Sequence, residues 1–218
     1  MLTRIICRIH NEPLSKVPHN GPLILVVNHI NILEIPVFFT ALHPRYIIGF
    51  SASKRWKVWW TRLLLNLADA IPLTIGEANI DAFRRGLNNI KDGNIILIAP
   101  EGTRSGHGRL QKGYPGVISL AMRSNAPLLP LVFYGHVHYK ENLLRLKRTD
   151  FYFAVGKPFT LNLKDQRLTG AIRQQMVDEI MYQLASLLPA QNRGVYSNLD
   201  LATEEYLKFE DHTMRSES

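Results

Sequence analysis

The sequence predicts an α/β fold, a single domain in which a mostly buried mixed or parallel sheet is flanked by helices. Short β-branched apolar runs recur along the chain, and segments of helical periodicity separate them. Within those runs successive residues are apolar rather than alternate ones, as in strands covered on both faces. The 218 residues suit one core. A composition of 46% apolar and 20% charged residues excludes a mainly disordered chain.

In chain order, residues 22–27 (PLILVV) read as the first buried strand. A helix is expected from Glu34 to Leu42, with Pro36 tolerated only because it falls near the start, where a missing N–H costs nothing. Residues 46–50 (YIIGF) read as a strand. In 78–92, Ile80, Phe83, Leu87 and Ile90 recur at helical spacing and Gly93 supplies a stop. Residues 94–99 (NIILIA) form the next buried strand, followed by a glycine-rich basic loop over 102–113. Pro115 opens a helix over 115–124, and 127–135 and 151–155 read as strands. Residues 170–188 place Ile172, Met176, Ile180, Leu184 and Leu187 along one helix face. The domain is taken as 1–218, with 1–20 an amphipathic N-terminal segment and 189–218 a polar, loosely packed tail.

Net charge narrows the partners. Lys and Arg total 26 against 18 acids, a balance of +8 that suits an anionic partner such as lipid headgroups, nucleic acid or an acidic carrier. No apolar run approaches the roughly 18 residues of a membrane span, so contact with a membrane would be peripheral. The single Cys7 allows neither an internal disulfide nor a cysteine-rich zinc site. His136 and His138 share a face if their strand continues, but two ligands make no metal site, and none is expected. No standard nucleic-acid module is visible.

Three constellations carry chemistry. In Asn28-His29-x-x-x-x-Glu34 the histidine sits at a strand tip and the acid at a helix start, so the loop can bring the carboxylate onto one ring nitrogen. That fixes the tautomer and leaves the other nitrogen as a general base. Histidine–carboxylate pairs are common in partly buried structural settings too. Second, Pro100-Glu101-Gly102-Thr103-Arg104-Ser105 follows a strand end, where open α/β sheets bind ligands. Gly102 allows close backbone approach and Arg104 offers a planar fork for phosphate, although a plain basic turn has the same composition. Third, Trp56, Trp59, Trp60, Leu63, Leu64 and Leu67 line one helical face beside Lys54, Arg55, Lys57 and Arg62, with no acid between Arg45 and Asp69. Such a face suits a headgroup boundary, with Trp56, Trp59, Trp60 and Leu63 as contacts, or else packs into the core.

Together these blocks resemble the glycerolipid acyltransferase superfamily, which includes the 1-acyl-sn-glycerol-3-phosphate acyltransferases, over about residues 20–158. The family's N-H-x-x-x-x-D block reads Asn28-His29-Ile30-Asn31-Ile32-Leu33-Glu34, its P-E-G-T-R-S block is intact at Pro100–Ser105, and its apolar proline strand is similar to residues 126–132 (APLLPLV). The resemblance implies O-acyl transfer from acyl-coenzyme A or acyl carrier protein, as co-substrate, to a lysophospholipid-like or other lipid hydroxyl. His29 would be the base and Glu34 its orienting acid. Lys54, Glu101, Gly102, Thr103, Arg104 and Ser105 would bind substrate, with no metal or other cofactor. The enzyme would lie on the cytoplasmic face of a membrane and would not engage nucleic acid. Three departures stand out. Glu34 replaces Asp, a change that leaves pairing possible and predicts that Glu34→Asp is tolerated. Asn31 stands where Ser is frequent. Pro72-Leu73-Thr74-Ile75-Gly76 lacks the family's arginine, which leaves the acceptor open. The alternatives are a non-catalytic lipid- or acyl-coenzyme A-binding relative and, ranked last, a basic nucleic-acid-binding protein.

Overall fold

The computed structural model describes residues 2–74, 79–164 and 166–209. Ile75 and Gly76, Ala78 at the expected helix start, and the tail beyond 209 lie outside this set.

The described residues form a nine-stranded mixed sheet. The strands are β1 (Cys7–His10), β2 (Leu23–Val27), β3 (Ile47–Ala52), β4 (Ile71–Leu73), β5 (Ile95–Ile98), β6 (Leu128–Tyr134), β7 (Thr149–Val155), β8 (Phe159–Leu161) and β9 (Leu207–Phe209). The main path runs β1-β7-β6-β2-β5-β3-β4, with β8 joined to β6 and β9 to β8. β2 pairs in parallel with β5 and β6, and β3 in parallel with β5, while β7 runs antiparallel to β6. Helices α1 (Leu2–Ile6), α2 (Glu34–Ala41), α3 (Trp59–Leu67), α4 (Ile80–Lys91), α5 (Gly116–Ser124), α6 (Tyr139–Leu144) and α7 (Gly170–Leu187) complete the chain.

The unbroken apolar runs now have their reason. Along β2, Ile24 and Val26 enter a core layer shared with α4, α5 and α7, whereas Leu23, Leu25 and Val27 enter the opposite layer with Val37 and Phe38 of α2. All five β2 side chains are buried, each worth roughly 1.5–3 kcal/mol. On α7, Met176, Ile180 and Leu184 are fully buried as the periodicity predicts, and Thr169 caps the helix by accepting from the Ile172 amide. On α4 the expected stripe is displaced: Ile90 is buried, Phe83 and Leu87 pack partly, and Ile80 is exposed.

Three expectations are corrected. The N-terminal segment is not one amphipathic stretch, because Cys7–His10 join the sheet beside β7 and bury Cys7. The chain after Pro189 is packed at least to Phe209. Tyr196, Tyr206 and Leu207 are buried, and the buried Glu179 of α7 accepts from Thr203 Oγ1 and the Glu205 and Tyr206 amides. A polar stretch packs here because its hydrogen-bonding groups face a buried carboxylate. Finally, residues 54–67 are not one helix. A 3-10 turn over Ser53–Lys57 meets α3 at an extended Val58.

Candidate active site

Because β2, β5 and β6 are parallel neighbours and β3 lies beyond β5, their carboxyl ends line one edge of the sheet. The segments leaving those ends carry His29, Glu101, His136 and the 53–57 turn. This is where open α/β sheets place their ligands.

Asn28 sets the first loop. Its side-chain amide donates to the Phe133 carbonyl at 2.9 Å and accepts from the Phe133 amide at 3.0 Å, locking the end of β2 to β6. Asn31 Oδ1 then accepts from the Leu33 amide and turns the chain into α2. The turn delivers Glu34, only 2% exposed, to the His29 ring, with Nδ1 2.6 Å from Glu34 Oε2. A carboxylate only accepts, so Nδ1 carries the proton and Nε2 keeps a lone pair. The His29 side chain is 27% exposed, and its Nε2 has no partner among the described residues. The second oxygen, Glu34 Oε1, accepts from the Ile30 and Asn31 amides at 2.8 and 2.7 Å and from His136 Nε2 at 3.0 Å. Burial pushes the Glu34 carboxyl up. The hydrogen bonds from His136 and His29 oppose that, and the carboxyl is held below the usual carboxylate value.

The loop after β5 is tied to the first. The Ser105 and Gly106 amides donate to the His29 and Ile30 carbonyls at 2.8 and 3.1 Å. Buried Glu101 accepts from the His29 amide on one oxygen and the Gln111 amide on the other, both at 2.9 Å. Its two oxygens are thus committed to holding the loops together rather than to a ligand. Burial raises its pKa to about 7 despite those bonds. Ser105 Oγ accepts from the Gly108 amide at 3.2 Å. Gly102 takes φ +65°, a left-handed conformation that glycine adopts freely, and stands exposed with Thr103 and Arg104.

Arg55 lies close enough to Arg104 to feel its charge. Burial, then repulsion from Arg104, lowers its pKa, yet an arginine remains charged. Neither guanidinium has a carboxylate partner among the described residues. Lys54 is exposed on the same turn.

Two sequence readings change. Residues 135–139 do not prolong a strand: Gly135, at φ +93°, ends β6, His138 pairs with Glu141 on the surface, and His136 is fully buried against Glu34. A Cβ at Gly135 would lie 2.8 Å from the Asp150 carbonyl oxygen, so this turn admits only glycine without a shift. The aromatic face is not core. Trp59, Trp60, Leu63, Leu64 and Leu67 are 45–75% exposed, while Trp56 is half-buried and donates to Asn66 Oδ1. A hollow of about 200 Å³ between Pro72, Asn79, Ile80 and Arg85 includes none of the residues around His29.

A family model described as Acyltransferase matches residues 8–134, more than half of the chain. The chain belongs to this acyltransferase family. It is 31% identical over 131 residues to a 1-acyl-sn-glycerol-3-phosphate acyltransferase of Limnanthes alba, a match covering 57% of this chain and 45% of that protein. It is 37% identical over 134 residues to the protein of that name from Cocos nucifera, covering 59% and 42% respectively. The match thus spans less than half the length of these relatives. The structure of the 1-acyl-sn-glycerophosphate (LPA) acyltransferase PlsC from Thermotoga maritima superposes with a TM-score of 0.61 at 18% identity, covering 85% of this chain and 73% of that one. The chain shares that protein's fold.

Proposed function

We propose that this acyltransferase moves a fatty acyl group from an acyl thioester, acyl-coenzyme A or acyl carrier protein, to a hydroxyl of a phosphate-bearing lysolipid such as 1-acyl-sn-glycerol-3-phosphate. The supporting observation is the His29–Glu34 pair, whose Nε2, unpartnered among the described residues, lies on the same sheet edge as the Arg55 and Arg104 cations. The acceptor phosphate binds the two guanidiniums, with Lys54, Gly102 and Thr103 at the rim. Nε2 removes the hydroxyl proton as the oxygen attacks the thioester carbonyl. Collapse of the tetrahedral intermediate breaks the carbon–sulfur bond, and the thiolate leaves with the proton returned by the imidazolium. One ester and one thiol are formed. Arg55 offers a substitute for the arginine missing from the 72–76 block.

The exposed α3 face docks on the cytoplasmic leaflet. Tryptophans at an apolar edge beside Lys57 and Arg62 fit an interface rather than water. Among the described residues, no helix is long and apolar enough to cross a membrane.

The test is thiol release from acyl-coenzyme A with lysolipids bearing or lacking phosphate. Turnover that prefers the phosphate-bearing acceptor supports the proposal. Lipid binding with no thiol release in the presence of either acceptor overturns it.

A further inference from the structure

His136 belongs to no block that matches the acyltransferases, yet it is fully buried and donates to the acid that orients His29. Its Nε2–H reaches Glu34 Oε1 at 3.0 Å, while Glu34 Oε2 takes His29 Nδ1 at 2.6 Å. One carboxylate therefore spans two imidazoles, one facing solvent and one sealed in the core. The His136 ring stacks on Phe151 at 4.2 Å and tilts against Phe133 at 5.7 Å, so it cannot turn away. Its Nδ1 is buried with no partner among the described residues, an arrangement suited to a bare lone pair on a neutral ring. The proton then resides on Nε2, facing the carboxylate.

We propose that His136 is a positioning residue that adapts this site to a glutamate. The side chain that is one methylene longer than aspartate is free to swing unless both oxygens are held. Two backbone amides and the His136 donor fix the second oxygen, and the first is left with one orientation toward His29. The inference rests on His29 acting as the base of the proposed reaction.

Two variants separate the donor from the packing. His136→Phe keeps an aromatic ring against Phe151 and removes the hydrogen bond; His136→Gln carries an amide N–H with comparable reach. Groups that orient a functional histidine are worth about 10- to 100-fold. We expect His136→Phe to lower kcat by that factor with KM for both substrates unchanged, as for an interaction that matters in the transition state. His136→Gln should recover most of the loss, and His136→Phe should cost little further in a Glu34→Asp background, where the shorter side chain cannot reach both rings. Wild-type kcat in His136→Phe, or no rescue by His136→Gln, overturns the proposal.

A second readout needs no turnover. In histidine-labelled protein, the His29 ring nitrogens should report a single Nδ1–H tautomer in the wild type and a mixture in His136→Phe. An unchanged His29 spectrum contradicts the role given to His136. Absence of thiol release from the wild type would instead overturn the acyl-transfer reading, and the ring spectra would still decide the role of His136.

Discussion

The sheet edge around His29 and the outer face of α3 break the same rule in opposite directions. At the edge, Glu34, Glu101 and His136 are 0–2% exposed although each is polar or ionisable. On α3, Trp59 and Leu67 are 74% and 75% exposed although each is among the most apolar side chains. Burying a carboxylate costs several kcal/mol unless it is hydrogen-bonded, and leaving a large apolar side chain in water forgoes roughly 1.5–3 kcal/mol. The hydrogen bonds at the edge offset the cost of burial there, whereas nothing among the described residues offsets the exposure of α3. A fold that departs from its own packing rules in two places marks the places where function sets the sequence. The edge is polar and largely sealed from water; the α3 face is apolar and open to it.

The sharpest way to break this contrast is to alter the edge. Glu34→Gln should reduce turnover by a factor on the order of 10³: the Ile30 and Asn31 amides hold the Gln oxygen, so its nitrogen, which only donates, faces His29 and places the ring proton on Nε2, where the proposed base needs a lone pair. The change should leave KM nearly untouched. Steady-state kinetics beside a thermal melt would check this, and a turnover loss that tracks a loss of folding would contradict it.

Glu101 offers a test through stability. Its pKa rises from 4.5 to about 7 on folding, so the native state keeps a proton that the unfolded chain releases. The stabilisation is fully present below pH 4.5 and is lost as the pH climbs to about 7, a decline worth about 3 kcal/mol. Glu34 acts in the opposite sense, because its lowered pKa adds stability above 4.5 that is lost as the pH falls through the folded value. Denaturant midpoints between pH 5 and 7 should fall more steeply for the wild type than for Glu101→Gln; parallel curves would remove Glu101 from the account.

Arg104→Ala and Arg55→Ala should each raise KM for a phosphate-bearing acceptor about tenfold, the worth of one charge-assisted hydrogen bond. An acceptor without phosphate should show no change. Equal effects on both acceptors would mean that the two guanidiniums serve the donor.

On α3, replacing Trp59 and Trp60 together by Ser should weaken binding to anionic vesicles, by about tenfold, and move stability by no more than about 0.5 kcal/mol. Vesicle co-sedimentation and a melt would measure both. A large stability loss with unaltered binding would return this face to the role of packing surface.

The contrast between the regions also explains what the sequence could show. His29, Glu34 and the 100–105 loop were legible because each lies within a few residues of a strand end, so short-range spacing encodes the site. The alternation of strands and helices was legible for the same reason. His136 was not, since it stands 102 residues from Glu34 and only the pairing of β2 with β6 joins them. The glycine at 135 was the available signal that the strand stops before it. Arg55 and Lys54 are adjacent on a 3-10 turn, and sequence alone does not say that Arg55 is the one that feels the charge of Arg104. The three-residue strands β4, β8 and β9 are too short for any periodicity to register. The packed chain beyond Pro189 reads as a tail because its partner, the Glu179 carboxylate, is hidden within a helix face that otherwise looks like plain core.

Single-turnover thiol release addresses the central claim most directly, with acyl-coenzyme A and the wild type compared with His29→Ala, each with and without the lysolipid acceptor. If the His29 imidazole takes the acceptor proton and the hydroxyl attacks the thioester itself, the wild type releases one equivalent of thiol only when the acceptor is present, and His29→Ala releases none on that timescale while melting like the wild type. A thiol burst without acceptor, or wild-type release from His29→Ala, would contradict it.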